Sequence, residues 1–159
     1  MISQTAEYAL RALVHLAAVR SEQPSQTVGQ IAKETRVPVG YLAKVLQSLT
    51  HAGLLTSQRG LGGGFRLAKA PNETSVYEVV QAVDPIPRIL HCPLGLEWHS
   101  THLCPLHKSL DDAMSLIERQ FRATTIQELV EQPDSQGKPN SDGETSSFLV
   151  GVRQKQSSD

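Results

Sequence analysis

Aromatic side chains are scarce in this chain, at 4% of its 159 residues, and tryptophan occurs only once, at Trp98. A core with few large rings must be built from aliphatic side chains. It is small, and it leaves apolar surface for a partner subunit to complete. Cysteine occurs twice, at Cys92 and Cys104, which excludes a scaffold stapled by several disulfides. No apolar run has the length needed to cross a bilayer. The opening stretch MISQTAEYALRALVHLAAV has no basic region and no small-residue cleavage site, so it does not read as a secretory leader, and a cytoplasmic location is expected. Neither charge sign is in real excess: the net charge is −1, which on its face argues against a nucleic-acid partner.

The distribution of charge points the other way. Residues 1–70 hold eight Lys/Arg and three Asp/Glu, a balance of +5, whereas residues 71–159 hold seven and thirteen, a balance of −6. A basic half joined to an acidic half is a usable footprint for nucleic acid, or else merely uneven surface charge.

The pattern of elements separates these readings. Tyr8, Ala9, Leu10, Leu13, Val14, Leu16 and Ala17 form one broad helical face over residues 4–19, with Ser3 or Thr5 as its cap. Thr27-Val-Gly-Gln30 has the form of a capping box and opens a short helix. Pro38 suits the first position of the next helix, which carries Tyr41, Leu42, Val45, Leu46 and Leu49 and stops before Gly53. Residues 54–57 and 65–68 read as two strands around a tip of Arg59-Gly-Leu-Gly-Gly-Gly64. A helix, a helix-turn-helix and a hairpin make a winged helix-turn-helix, so the expected fold is mainly α with a small β-wing. The tip joins strand to strand and has no Lys-Ser/Thr, which excludes a nucleotide-binding loop. Gly60, Gly62, Gly63 and Gly64 instead suit close approach of backbone to a DNA groove.

The remainder divides into three parts. After a short helix over residues 75–83, residues 84–104 form a loop holding both cysteines. From Pro105 a long helix carries Leu106, Leu110, Met114, Ile117 and Phe121 at three- and four-residue steps. That seam fits a dimerisation helix or the outer helix of one domain. Thr125-Ile-Gln-Glu128 is a second capping box, opening a terminal helix within residues 105–132. Residues 133–159 are rich in Ser, Gln, Asp, Gly and Pro and read as a disordered tail.

On the DNA side, Lys44 and Arg59 can meet phosphates or base edges, and Arg59 suits the focused negative potential of a narrow minor groove. Tyr41 can donate to a phosphate or serve as a core aromatic. Thr27 and Gln30 sit at a helix start that can approach a phosphate. In the loop, Cys92 and Cys104 are soft ligands for zinc or for iron in a cluster, and His107 lies one helical turn beyond Cys104. His91 and Lys108 would favour thiolates if close in space. An i,i+3 Cys–His pair with no third group and no oxyanion site does not make an enzyme. The other rival is a winged domain used for protein–protein assembly.

Glu7-Tyr-Ala-Leu-Arg11, Ile31-Ala32, Tyr41-Leu42 with Leu46, Gly53-Leu-Leu55, Arg59-Gly-Leu-Gly-Gly-Gly-Phe65, Cys104-Pro-Leu-His107 and Thr125-Ile-Gln-Glu-Leu129 together resemble the family of winged-helix regulators that includes the iron–sulfur cluster regulator IscR, the nitric-oxide sensor NsrR, the iron-responsive RirA and the cysteine regulator CymR. The resemblance covers residues 1–132 and implies a homodimer on palindromic double-stranded operator DNA, with no membrane role and no small-molecule substrate. It places the recognition helix over residues 38–51, with Pro38, Val39, Gly40, Tyr41 and Lys44 at the DNA and the wing in the minor groove. Cluster-binding members carry three cysteines in the loop. This chain matches the first at Cys92 and the last at Cys104, and has Trp98 at the middle. The resemblance therefore implies a labile [2Fe–2S] cluster held by Cys92, Cys104 and His107, with Glu7 of the partner's first helix as fourth ligand. The alternatives are His99 or His102 in place of the lost thiolate, another metal, a Cys92–Cys104 thiol switch, or an inert loop.

Overall fold

The computed structural model describes residues 2–22, 25–60, 62–95 and 102–131. Trp98, His99 and the 133–159 tail lie outside the described residues. Helix α1 runs Gln4–Ala18 and buries Ala6, Ala9, Ala12, Leu13 and Leu16, the face its spacing predicts. Of the two possible caps, Ser3 serves: its Oγ accepts from the Ala6 amide.

Helix α2, Val28–Thr35, starts on the Thr27–Gln30 box. The Gln30 amide donates to Thr27 Oγ1, and the Thr27 amide donates back to Gln30 Oε1 at 2.8 Å. Thr27→Ala removes half of this exchange and should cost about 1 kcal/mol, read as a lower denaturant midpoint at unchanged slope. Arg36, in the left-handed region at φ 56°, ends α2.

Helix α3 runs Val39–His51, one residue shorter than expected at its start. Pro38 is not the first helical residue. Its ψ of 129° is extended, and it acts as the cap whose carbonyl accepts from the Leu42 amide at 2.9 Å. At the other end Leu54 N–H donates to Leu49 C=O and Gly53 N–H to Thr50 C=O, with Gly53 at φ 74°. This paired closure satisfies the last carbonyls, and it needs a left-handed residue where glycine stands.

Strands β1 (Leu55–Gln58) and β2 (Gly64–Leu67) pair antiparallel, with Leu55 opposite Leu67 and Gln58 opposite Gly64. Gln26 adds a bridge on the far side of β2, exchanging both backbone hydrogen bonds with Phe65 at 3.0 and 2.7 Å. His15 Nε2 meets the buried Gln26 side chain at 2.7 Å and ties α1 to the wing base.

Helix α4 (Val76–Val83) is capped by Ser75, the long helix α5 runs Pro105–Ala123, and α6 runs Ile126–Val130. One core joins α1, α2, α3, β1, α4 and α6: Leu13, Ile31, Leu42, Leu46, Leu49, Leu55, Val79 and Ile126 are all fully buried. The terminal helix thus packs into the winged unit. Val76 N–H donates to Thr124 C=O and Ile126 N–H to Thr74 C=O, stitching the two stretches together.

The distal end of α5 is anchored, with Phe121 packed against Ala6, Val76 and Val80 and Arg122 over the Tyr77 ring at 3.5 Å. Elsewhere α5 buries no side chain, and Leu106, Leu110, Leu116 and Ile117 are exposed at 61, 42, 50 and 37%. No helix among the described residues is long and apolar enough to cross a membrane.

Candidate metal centre and nucleic-acid interface

The outer face of α3 presents Val39, Gly40, Tyr41, Lys44, Gln47 and His51. Gln47 and His51 continue the Gly40–Lys44 stripe at helical spacing. Neither carries a fixed charge that would mark it in the sequence. Tyr41 departs from one of its two expected roles. It is 42% exposed, so it is not a core ring. Its hydroxyl is engaged with Thr5 Oγ1 at 2.6 Å, and its ring meets Tyr8 edge-on at 5.5 Å. The start of α3 is thereby docked on the first turns of α1.

Arg59 is exposed where β1 runs into the tip, and neither it nor Lys44 has an acidic partner among the described residues. Thr27 and Gln30 are exposed, with their side chains occupied in the capping box. Two wing glycines have an internal reason beyond approach to a groove. A Cβ on Gly64, at φ 151°, would lie 2.4 Å from the Gln26 carbonyl oxygen, and one on Gly63 would lie 2.4 Å from that of Gln58.

Cys92, Cys104 and His107 converge, their ligand atoms all within 4.8 Å of one another. Each arrives for a local reason. Cys104 caps α5, directly ahead of Pro105 at the first helical position, and is 5% exposed. His107 follows in the first turn, which brings its Nδ1 to 3.1 Å from Cys104 Sγ. Cys92 enters from the segment after α4, with its Sγ 3.5 Å from the same Nδ1. Burial works against ionisation of Cys92. The backbone amides of Leu94 and Cys104 and the Cys104 thiol outweigh it and hold the Cys92 thiol below its ordinary value.

The donor set suits a borderline or soft metal. At ordinary zinc bond lengths, tetrahedral geometry separates a sulfur from a nitrogen ligand by about 3.5 Å, close to the distances here. A [2Fe–2S] cluster places two protein ligands on each iron, so three donors gathered on one point suit one ion better than two irons. Glu7 is exposed on α1 and is not in this donor group, and His102 is likewise outside it. Lys108 does not attend the cysteines as expected. It pairs with Asp112 at 2.8 Å, the i,i+4 neighbour on its own helix.

The model of the Rrf2 family, described as iron-dependent transcriptional regulators, matches residues 2–132. A helix-turn-helix-type transcriptional regulator of Aquifex aeolicus is 31% identical over 133 residues, covering 82% of this chain and 91% of that protein. Among solved structures, CymR of B. subtilis, the global cysteine regulator, is similar with a TM-score of 0.67 at 23% identity, over 82% of this chain and 95% of that one. The oxidized form of Staphylococcus aureus CymR is similar with a TM-score of 0.65 at 25% identity, over 85 and 99%. IscR of T. potens has a TM-score of 0.64 at 24% identity, over 82 and 85%. A winged unit with an exposed helix α3 and a family match spanning all the described residues lead to one conclusion: the chain belongs to the Rrf2 family and is a DNA-binding transcriptional regulator, not an enzyme.

Proposed function

We propose that this protein is a homodimeric regulator of palindromic operator DNA whose affinity is set by the chemistry of the Cys92–Cys104–His107 site. The convergence of those three donors at the start of α5 carries the reading. The exposed apolar side chains of α5, from Leu106 to Ile117, supply the surface for a second copy. Val39, Gly40, Tyr41, Lys44 and Arg59 face the DNA, with Gly60, Gly62, Gly63 and Gly64 carrying the wing into the minor groove. Two copies then read half-sites about 34–36 Å apart.

In one state the two thiolates and the imidazole would hold a thiophilic metal ion. In the metal-free state peroxide would take two electrons and two protons from the thiols, leaving a Cys92–Cys104 disulfide and two waters. The existence of an oxidized form of S. aureus CymR supports a redox state on this fold. The states differ at the junction of the loop with α5. Only a state with different affinity for two dimer geometries can shift DNA binding.

A second reading follows from the family's iron dependence. A [2Fe–2S] cluster would be held by Cys92, Cys104, His107 and Glu7 of the partner subunit, and would supply a redox state that oxidants or nitric oxide can alter.

The test is selection of duplexes with randomised half-sites on the purified protein, followed by titration. Enrichment of an inverted repeat is expected, with affinity falling steeply as salt rises, by about one logarithmic unit per phosphate contact for each tenfold change. Arg59→Ala should weaken binding at least tenfold, and peroxide or a chelator should change it. Salt-insensitive binding, or no enriched sequence, would sink the regulator reading.

A further inference from the structure

The segment over residues 84–91 that delivers Cys92 contains neither helix nor strand, and its Pro85 and Pro87 carry no amide donor. Something else must hold it on α5. Arg88 does so with its planar fork: Nε donates to Asp111 Oδ1 and Nη2 to Asp111 Oδ2, both at 2.7 Å. The next amide, Ile89 N–H, donates to the same Asp111 Oδ1 at 3.0 Å. Arg88 Nη1 also reaches Glu118 Oε2 at 3.5 Å.

Asp111 stands one turn beyond His107, on the same face of α5. The carboxylate that grips the segment and the imidazole that meets Cys92 are therefore neighbours on one rigid element. Glu118 continues this stripe, pairing with Arg122, which lies over Tyr77 of α4.

We propose that Arg88 is a positioning residue of the sensing site: locked on Asp111 and Glu118, it sets Cys92 within reach of Cys104 and His107. The proposal rests on the reading of these three as metal ligands. An exposed ion pair contributes little to global stability. This one acts locally, on how often Cys92 stands where a metal needs it. Asp111 is held down to about 2 by Arg88 and by the Ile89 amide, so the clamp keeps its charge down to that pH.

Anaerobic titration of the reduced full chain with Co(II), followed by thiolate-to-metal absorption, tests this. Arg88→Ala should bind about 10–100-fold more weakly than the native chain, with the same band shape, because the ligands are unchanged. Arg88→Lys, which keeps the charge but loses the fork, should fall between the two. Both variants should keep the native circular dichroism and thermal midpoint, which a merely structural role would not leave in place. Native-like affinity in both variants overturns the proposal and leaves the site reading standing. Absence of the band in the native chain overturns that reading and the proposal with it.

Discussion

Cys104→Ala is expected to abolish binding of a thiophilic metal ion, lowering affinity more than a hundredfold, beyond the range seen for residues that merely support ligands. Cys104 is one of three donors, it is 5% exposed, and its backbone starts the ladder of α5 by accepting from the Lys108 amide at 2.8 Å. No other thiol among the described residues can replace it. The fold should survive, because no side-chain cap is lost there. Competition of zinc between the protein and a chromophoric chelator measures the loss, and near-native affinity in the variant would remove Cys104 from the site. The same variant should no longer form an internal disulfide with peroxide, read as the missing mass loss of two hydrogens. Glu7→Ala separates the two cofactor readings in the same assay. It should leave zinc affinity unchanged if one ion binds, and should bleach the iron–sulfur spectrum if a partner-bridged cluster does.

Gly64→Val is expected to cost about 2–4 kcal/mol and to lower the thermal midpoint on the order of 10 °C. Its new Cβ would sit 2.4 Å from one backbone oxygen and 2.5 Å from the carbonyl carbon of Gln26, at φ 151°. The obstacle is backbone, not the end of a flexible side chain, so relief requires Gln26 and Phe65 to give up their paired hydrogen bonds. The wing would then leave its seat against α1, and operator affinity should fall more than tenfold. Gly29→Ala is the control. Nothing lies within 4 Å of its added Cβ, and alanine in a helix is favoured by about 1 kcal/mol. Thermal melts and gel retardation of both variants check this; a native-like Gly64→Val would show that the wing base is not rigid.

Much of this molecule was legible in local signals. The boxes at Thr27–Gln30 and Thr125–Glu128, the stop at Gly53 and the alternation in β2 each depend on residues within a few positions, and each formed. Pro38 misled by one position because a proline's φ suits both a cap and a first helical residue, and only ψ distinguishes them. Tyr41 was ambiguous for a different reason. Its partners, Thr5 and Tyr8, lie more than thirty residues away, and no periodicity in α3 could reveal them.

The sequence by itself determined the order of elements, the glycine tip, the basic α3–wing half and the residue types able to hold a metal. Those follow from side-chain chemistry and short-range backbone preference. Tertiary structure alone decided the rest. It brought Cys92 to a cysteine and a histidine twelve and fifteen positions away. It gave Arg88 its hold on Asp111 and Glu118, turned Lys108 outward to Asp112, and returned Ile126 to the winged core while leaving the α5 seam from Leu106 to Ile117 exposed. Each of these depends on which surfaces meet when the chain closes, and contact between distant segments is set by the packing of the whole core.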